Sequence, residues 1–197
     1  MTDFEFVFSL FGLLLGFSLI EVLGGLAKAI EAQLRAVKLG NGGAGERPFQ
    51  AGWLIPLLGL FVMLDVISFW GSAWVARDQL AYSGPVVVGG LLFAGAYYVA
   101  AHLVFPTEQA DWADLDAHFF RVRTVVFGMI LLLTTLQLGY LLSAIPGMLQ
   151  ALSNPGVLIS AGTHYALLMA GIFVRSKKAG ILVLVLLILR YLFQYLA

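Results

Sequence analysis

The stretch FEFVFSLFGLLLGFSLIEVLGGLA, residues 4–27, runs without a break into KAIEAQLRAVK, residues 28–38, and these two segments decide how the chain is read. The first is a run of apolar side chains long enough to cross ~30 Å of hydrocarbon, which takes about 20 helical residues. The second is a basic amphipathic extension, with Glu31 and Arg35 one helical turn apart in the favourable order. A competing reading is a cleaved signal peptide, because Ala27-Lys28-Ala29 imitates a small-x-small cleavage site. The start, Met1-Thr2-Asp3-Phe4-Glu5, is acidic where a signal peptide is basic, so a retained first span is expected.

Further apolar runs follow at roughly 51–76, 85–105, 119–142, 156–174 and 179–197. With 61% hydrophobic and 11% charged residues the chain lies far from soluble domains, in which about 25% of residues are charged. The expected fold is therefore all-α: a polytopic membrane bundle of six transmembrane helices forming a single domain over 1–197. The net charge of zero and the lack of a broad basic face argue against nucleic acid as a partner. The absence of cysteine removes disulfides, thiolate metal ligands and cysteine nucleophiles.

Orientation follows from the basic residues. Lys28, Arg35, Lys38 and Arg47 follow span one, Arg121 and Arg123 open span four, and Arg175, Lys177 and Lys178 separate spans five and six, all on one side. The opposite side has only Arg77, with Arg190 inside span six. An excess of Lys and Arg marks the cytoplasmic side, so both termini are expected outside a bacterial inner (plasma) membrane. Trp70 and Trp74, one turn apart at the outward end of span two, are expected to face lipid as an aromatic belt.

The connections are short. Residues 40–45, Gly-Asn-Gly-Gly-Ala-Gly, form a flexible linker without the Gly-Lys-Ser/Thr of a phosphate loop. Residues 106–118 carry Glu108, Asp111, Asp114 and Asp116, with Trp112, Leu115 and Phe119 on one face, and are expected to form a short amphipathic helix on the cytoplasmic surface. Its acids could pair with the basic elements of the same side or dock a cytoplasmic protein. They lack the glycine and distal glutamate of an EF-hand calcium loop. Between spans four and five, Pro146-Gly147 and Asn154-Pro155 bracket a small outer helix around Met148 to Leu152.

Ionisable side chains within the spans are the strongest functional pointers, because each costs at least ~2.5–3.5 kcal/mol at the centre of a membrane helix unless compensated. At 1.5 Å per residue, Asp65, His164 and Arg190 fall within roughly 3 Å of their span midpoints, whereas Glu21 lies ~7 Å and His102 ~10 Å toward the cytoplasm. Ser68 and Ser72 share a helical face with Asp65, Ser160 lies one turn from His164, Gln194 one turn from Arg190, and Thr134 and Gln137 are three apart on span four. With alternating span directions, all of these polar companions lie on the outer side of the midplane residues. The expectation is an outward-open crevice lined by Ser68, Ser72, Thr134, Gln137, Ser160 and Gln194 and floored by Asp65, His164 and Arg190, with Glu21 and His102 in a deeper layer. A structural alternative is that Asp65 and Arg190 form an ion pair that only neutralises two buried charges. Ser9, Gly12 and Gly16, at three- and four-residue spacing on span one, form the candidate helix-packing ridge.

No catalytic pattern assembles. The sequence lacks His-Glu-x-x-His and Gly-x-Ser-x-Gly, and its three histidines at three depths do not suit a metal or haem site, so no cofactor is expected. The residues instead suggest a proton or small-ion channel or transporter, in the lipid bilayer and as a homo-oligomer. The alternative is a non-catalytic membrane subunit or sensor that binds a small ligand or lipid and docks partners through its charged cytoplasmic loops.

Overall fold

The computed structural model describes residues 3–38, 52–77, 83–108, 112 and 114–196. They form seven helices and no strand: α1 Asp3–Lys38, α2 Leu54–Val75, α3 Gly84–Val104, α4 Leu115–Ala144, α5 Met148–Leu152, α6 Pro155–Phe173 and α7 Lys177–Leu196. All but α5 are long and apolar enough to cross a membrane, which makes the protein an integral membrane protein. The helix carrying the opening stretch is unbroken over 36 residues, ~54 Å at 1.5 Å per residue, and so outruns the hydrocarbon layer. The glycine-rich linker and Arg47 lie outside the described residues, as do the side chains of Arg35 and Lys38.

Local chemistry sets the helix starts. The Ser83 hydroxyl accepts the Val86 N–H at 3.4 Å, with Pro85 in the first turn. The Asp114 carboxylate accepts the Ala117 N–H at 2.9 Å, and the Asn154 side chain accepts the Gly156 N–H at 2.9 Å beside Pro155. The Ser176 hydroxyl accepts the Ala179 N–H at 3.3 Å ahead of α7. Each satisfies a donor that a helix N-terminus otherwise leaves bare. Gly147, at φ 80°, takes the left-handed conformation that turns the chain into α5.

α2 is the central post. It packs against α1, α3, α4 and α7, while α1–α3, α3–α4, α4–α6 and α6–α7 contacts wrap the remaining spans around it. Leu54, Ile55, Leu58, Phe61, Val62 and Val66 of α2 are fully buried against Phe119, Val126, Phe127 and Ile130 of α4 and Leu184 and Leu187 of α7. One end of the bundle gathers the start of α1, the end of α2 and α5; the other, basic end gathers the starts of α4 and α7, where Lys177 Nζ lies 3.0 Å from Asp116 Oδ2.

Several expectations are revised. Trp70 does not face lipid: its ring lies over Gly12, where a Cβ would come 2.7 Å from Cη2, and meets Phe8 edge-on at 4.5 Å. Trp74, one turn on, is at the perimeter at 56% exposure. The reason is that α1 crosses α2 at Trp70, where the missing side chain of Gly12 leaves room for an indole. The Ser9, Gly12, Gly16 ridge is not the packing face as a whole. Ser9 is exposed and donates to the Glu5 carbonyl at 2.5 Å, and Gly16 faces open space. The buried face of α1 is Val7, Phe11, Leu15, Ser18, Val22, Gly25 and Ala29, whose larger side chains bury more area than a row of glycines would. Its tightest point is Gly25, where a Cβ would fall 2.1 to 2.7 Å from three atoms of the Phe105 ring.

The amphipathic helix expected over 106–118 falls partly on residues 109–111 and 113, outside the described residues and including Asp111. The Trp112 indole donates to the Pro106 carbonyl at 3.0 Å, and Leu115 and Phe119 are buried in the opening turns of α4. Two of the three residues assigned to its apolar face therefore begin a span.

The Gly25–Phe105 contact makes a direct test of this packing. Gly25→Val should destabilise the detergent-solubilised protein by about 1–3 kcal/mol, the usual penalty for overfilling a close-packed site, seen as a lower thermal midpoint. Gly16→Val, placed where nothing lies within 4 Å, should leave the midpoint unchanged.

Candidate functional site

A polar cavity of about 180 Å³ lies between α2, α4, α6 and α7, at the end of the bundle that holds α5. The helical repeat brings its polar walls together. Asp65, Ser68 and Ser72 come from one face of α2, Thr134 and Gln137 from α4, His164 from α6, and Arg190 and Gln194 from α7. Ser160 does not line it, but accepts two hydrogen bonds from Arg190: Nε donates to its carbonyl at 3.3 Å and Nη2 to its hydroxyl at 3.4 Å.

Asp65 is 3% exposed and its carboxylate is held from two sides. The Tyr97 hydroxyl of α3 donates to Oδ2 at 2.8 Å, and the Tyr191 hydroxyl of α7 donates to Oδ1. The Asp65–Arg190 ion pair of the structural alternative does not occur: two neutral phenols satisfy the carboxylate, and the guanidinium is engaged by Ser160. Tyr97 and Tyr191 are themselves 1% and 2% exposed, and neither was singled out from the sequence. The available signal was a requirement rather than a pattern. A carboxylate buried in a membrane must find donors, and a mid-span tyrosine is an apolar body with a donor at its tip.

His164 is 5% exposed and meets the Tyr191 ring edge-on at 5.7 Å. Its Nδ1 is buried and has no hydrogen-bond partner among the described residues. Below the cavity, toward the basic end, Phe61 and Phe127 stack at 5.8 Å, and Phe61 reaches Tyr191 at 6.3 Å. α6 closes this floor at Gly171, where a Cβ would fall 2.6 Å from the Phe127 ring.

Glu21 and His102 do not join the cavity. They meet each other at the perimeter between α1 and α3, with His102 Nδ1 3.4 Å from Glu21 Oε2 and the Tyr98 hydroxyl donating to Glu21 Oε1 at 3.1 Å. The His102 and Glu21 side chains are 48% and 37% exposed, respectively, and the 230 Å³ cleft they line shares no residue with the Asp65 cavity. Helical periodicity gave their depth correctly relative to Asp65 but not their lateral position, which depends on where α1 lies in the bundle.

The chemistry of this arrangement follows from hydrogen-bond roles. An ionised carboxylate only accepts, so both tyrosine hydroxyls point at Asp65; a protonated Asp65 also carries one donor, which the ionised form lacks. The protonation state of Asp65 thus bears on its hydrogen bonds to side chains on α3 and α7. Comparisons of the chain with protein families, with curated proteins and with solved structures find no match in any of the three.

Hydrogen bonds to a charged partner are worth about 1.5–3 kcal/mol, so Tyr97→Phe and Tyr191→Phe should each destabilise the protein by about that amount in equilibrium unfolding. Tyr98→Phe, at the half-exposed Glu21, should cost less than about 1 kcal/mol.

Proposed function

We propose that the protein is a transporter of a proton or small cation, loading its cargo at Asp65 from the end of the bundle that carries α5. The observation behind this reading is a buried carboxylate at the bottom of a polar half-cavity whose far side is sealed by Phe61, Phe127 and Gly171. Ionisable groups at such depth are costly and recur in ion and proton pathways. A site reached from one side and closed on the other fits carriage by alternating access better than an open pore. His164, an imidazole lining the cavity beside Tyr191, suits a role as proton acceptor on the way to Asp65. In this reading the basic end, where Lys28, Arg121, Arg123, Arg175, Lys177 and Lys178 stand, faces the cytoplasm of a bacterial inner membrane, with the mouth and both termini outside; the excess of Lys and Arg at that end supports it. Assembly as a homo-oligomer belongs to this reading, and Glu21 with His102 then lies at the perimeter, where a neighbouring subunit would pack.

The experiment is proton or cation flux into liposomes holding the purified protein, under imposed pH and ion gradients. Wild type should carry a flux that saturates with ion concentration, and Asp65→Asn should lower its initial rate by about tenfold or more. Absence of flux under every gradient, with wild type and Asp65→Asn indistinguishable, would overturn the proposal.

The sealed floor also favours a second reading, a ligand-binding subunit that signals through its charged cytoplasmic loops without moving anything. Co-purification of a stoichiometric partner, lost on neutralising Asp111, Asp114 and Asp116, together with absent flux, would establish it instead.

A further inference from the structure

The polar cavity has an apolar neighbour. Between the ends of α1, α2, α3 and α4, again at the end of the bundle holding α5, lies a cavity of about 370 Å³, walled chiefly by Phe8, Phe11, Phe69, Trp70 and Phe93, with Gly89 at its edge. It is twice the volume of the polar cavity and lies in the range of small-molecule sites, ~300–1,000 Å³. The two cavities are neighbours. Ser72 of α2 and Gln137 and Leu141 of α4 line both, so the mouth at this end of the bundle is apolar on its α1–α3 side and polar on its α6–α7 side.

We infer that this divided mouth binds a single-tailed amphiphile, with its tail among the aromatic rings and a small neutral, oxygen-bearing head across the Ser72–Gln137 partition. The tail follows from the aromatic walls, whose surface is almost entirely apolar away from the partition. The head follows from two features of the polar side. Ser72 and Gln137, the polar side chains that line both cavities, offer a hydroxyl and an amide to a head oxygen or hydroxyl. Asp65 accepts from Tyr97 and Tyr191 and Arg190 donates to Ser160, so both charged groups are already engaged within the protein, and an ionised head would lack a counter-charge that a hydroxyl or carbonyl head does not need. A two-tailed lipid with a phosphodiester head fits neither the small polar compartment nor its engaged charges. The inference stands on the apolar cavity and needs no transport. Binding is measured without a gradient, so its failure leaves the flux result untouched, and the reverse holds too.

Trp70 provides the readout because its ring lines the apolar cavity. A terminally dibrominated dodecanol, titrated into the purified protein in detergent, should quench tryptophan fluorescence saturably, with reversal by excess plain dodecanol. The saturable component should vanish in Trp70→Phe. Gly89→Leu adds a side chain where nothing lies within 4 Å and should weaken binding by about tenfold or more while leaving the thermal midpoint in place. The brominated carboxylate of the same length should bind about tenfold more weakly than the alcohol. Quenching that fails to saturate, or that is equal in Gly89→Leu, means bulk partitioning and overturns the site. Tighter binding of the carboxylate, or equal binding of a brominated dodecane without a head, overturns the assignment of a neutral polar head.

Discussion

A carboxylate cannot be left bare within a membrane, and Asp65 is the point around which the bundle closes. Two tyrosine hydroxyls, one from α3 and one from α7, reach the same carboxylate on α2. Helices that in lipid have little hydrophobic reason to prefer one neighbour over another are tied at one depth by a polar requirement. The tie also sets rotation. Tyr97 must face α2, which turns Tyr98 and His102 to the perimeter to meet Glu21. Tyr191 must face α2 as well, which leaves Arg190 beside Ser160 of α6.

Around that tie the packing divides by height. On the basic side of Asp65 the interior between α2, α4, α6 and α7 is tight, with Phe61 against Phe127 and Tyr191 and glycine admitting close approach at Gly171 and Gly180, and the cleft of Glu21 and His102 lies at the perimeter between α1 and α3. On the other side the helices enclose two cavities, one polar and one apolar, that share α2 and α4. A protein that served only to hold six helices together would fill this space with side chains, since voids forfeit dispersion contacts.

The sequence was most informative where a physical rule acts along one dimension. Length and apolarity marked six spans, and the turn signals Pro146-Gly147 and Asn154-Pro155 around residues 148–152 correspond to α5 and the start of α6. The 3.6-residue repeat grouped Asp65 with Ser68 and Ser72, and alternating span direction put Thr134, Gln137, Ser160 and Gln194 on the outer side of Asp65, His164 and Arg190; the structure has all of these but Ser160 on one cavity. It was least informative where two helices must be placed side by side. Trp70 reads as a lipid-facing belt residue until α1 is seen to cross it at Gly12, and Gly16 reads as a packing residue until its surroundings prove empty. The donors to Asp65 were illegible for the same reason, because Tyr97 and Tyr191 carry no local mark of pointing at an aspartate on another helix.

By itself, then, the sequence determined the solvent of the chain, the number and extent of its spans and the heights of its buried polar groups, because each is a sum over one segment in contact with lipid. Only the tertiary structure decided that Asp65 is held by tyrosines and not by Arg190, that Glu21 and His102 lie at the perimeter, and that an apolar cavity opens beside the polar one. Those outcomes depend on the lateral order and rotation of helices. In lipid these are set by pairwise fit and a few hydrogen bonds between residues far apart in the chain, and the hydropathy of the segments does not record them.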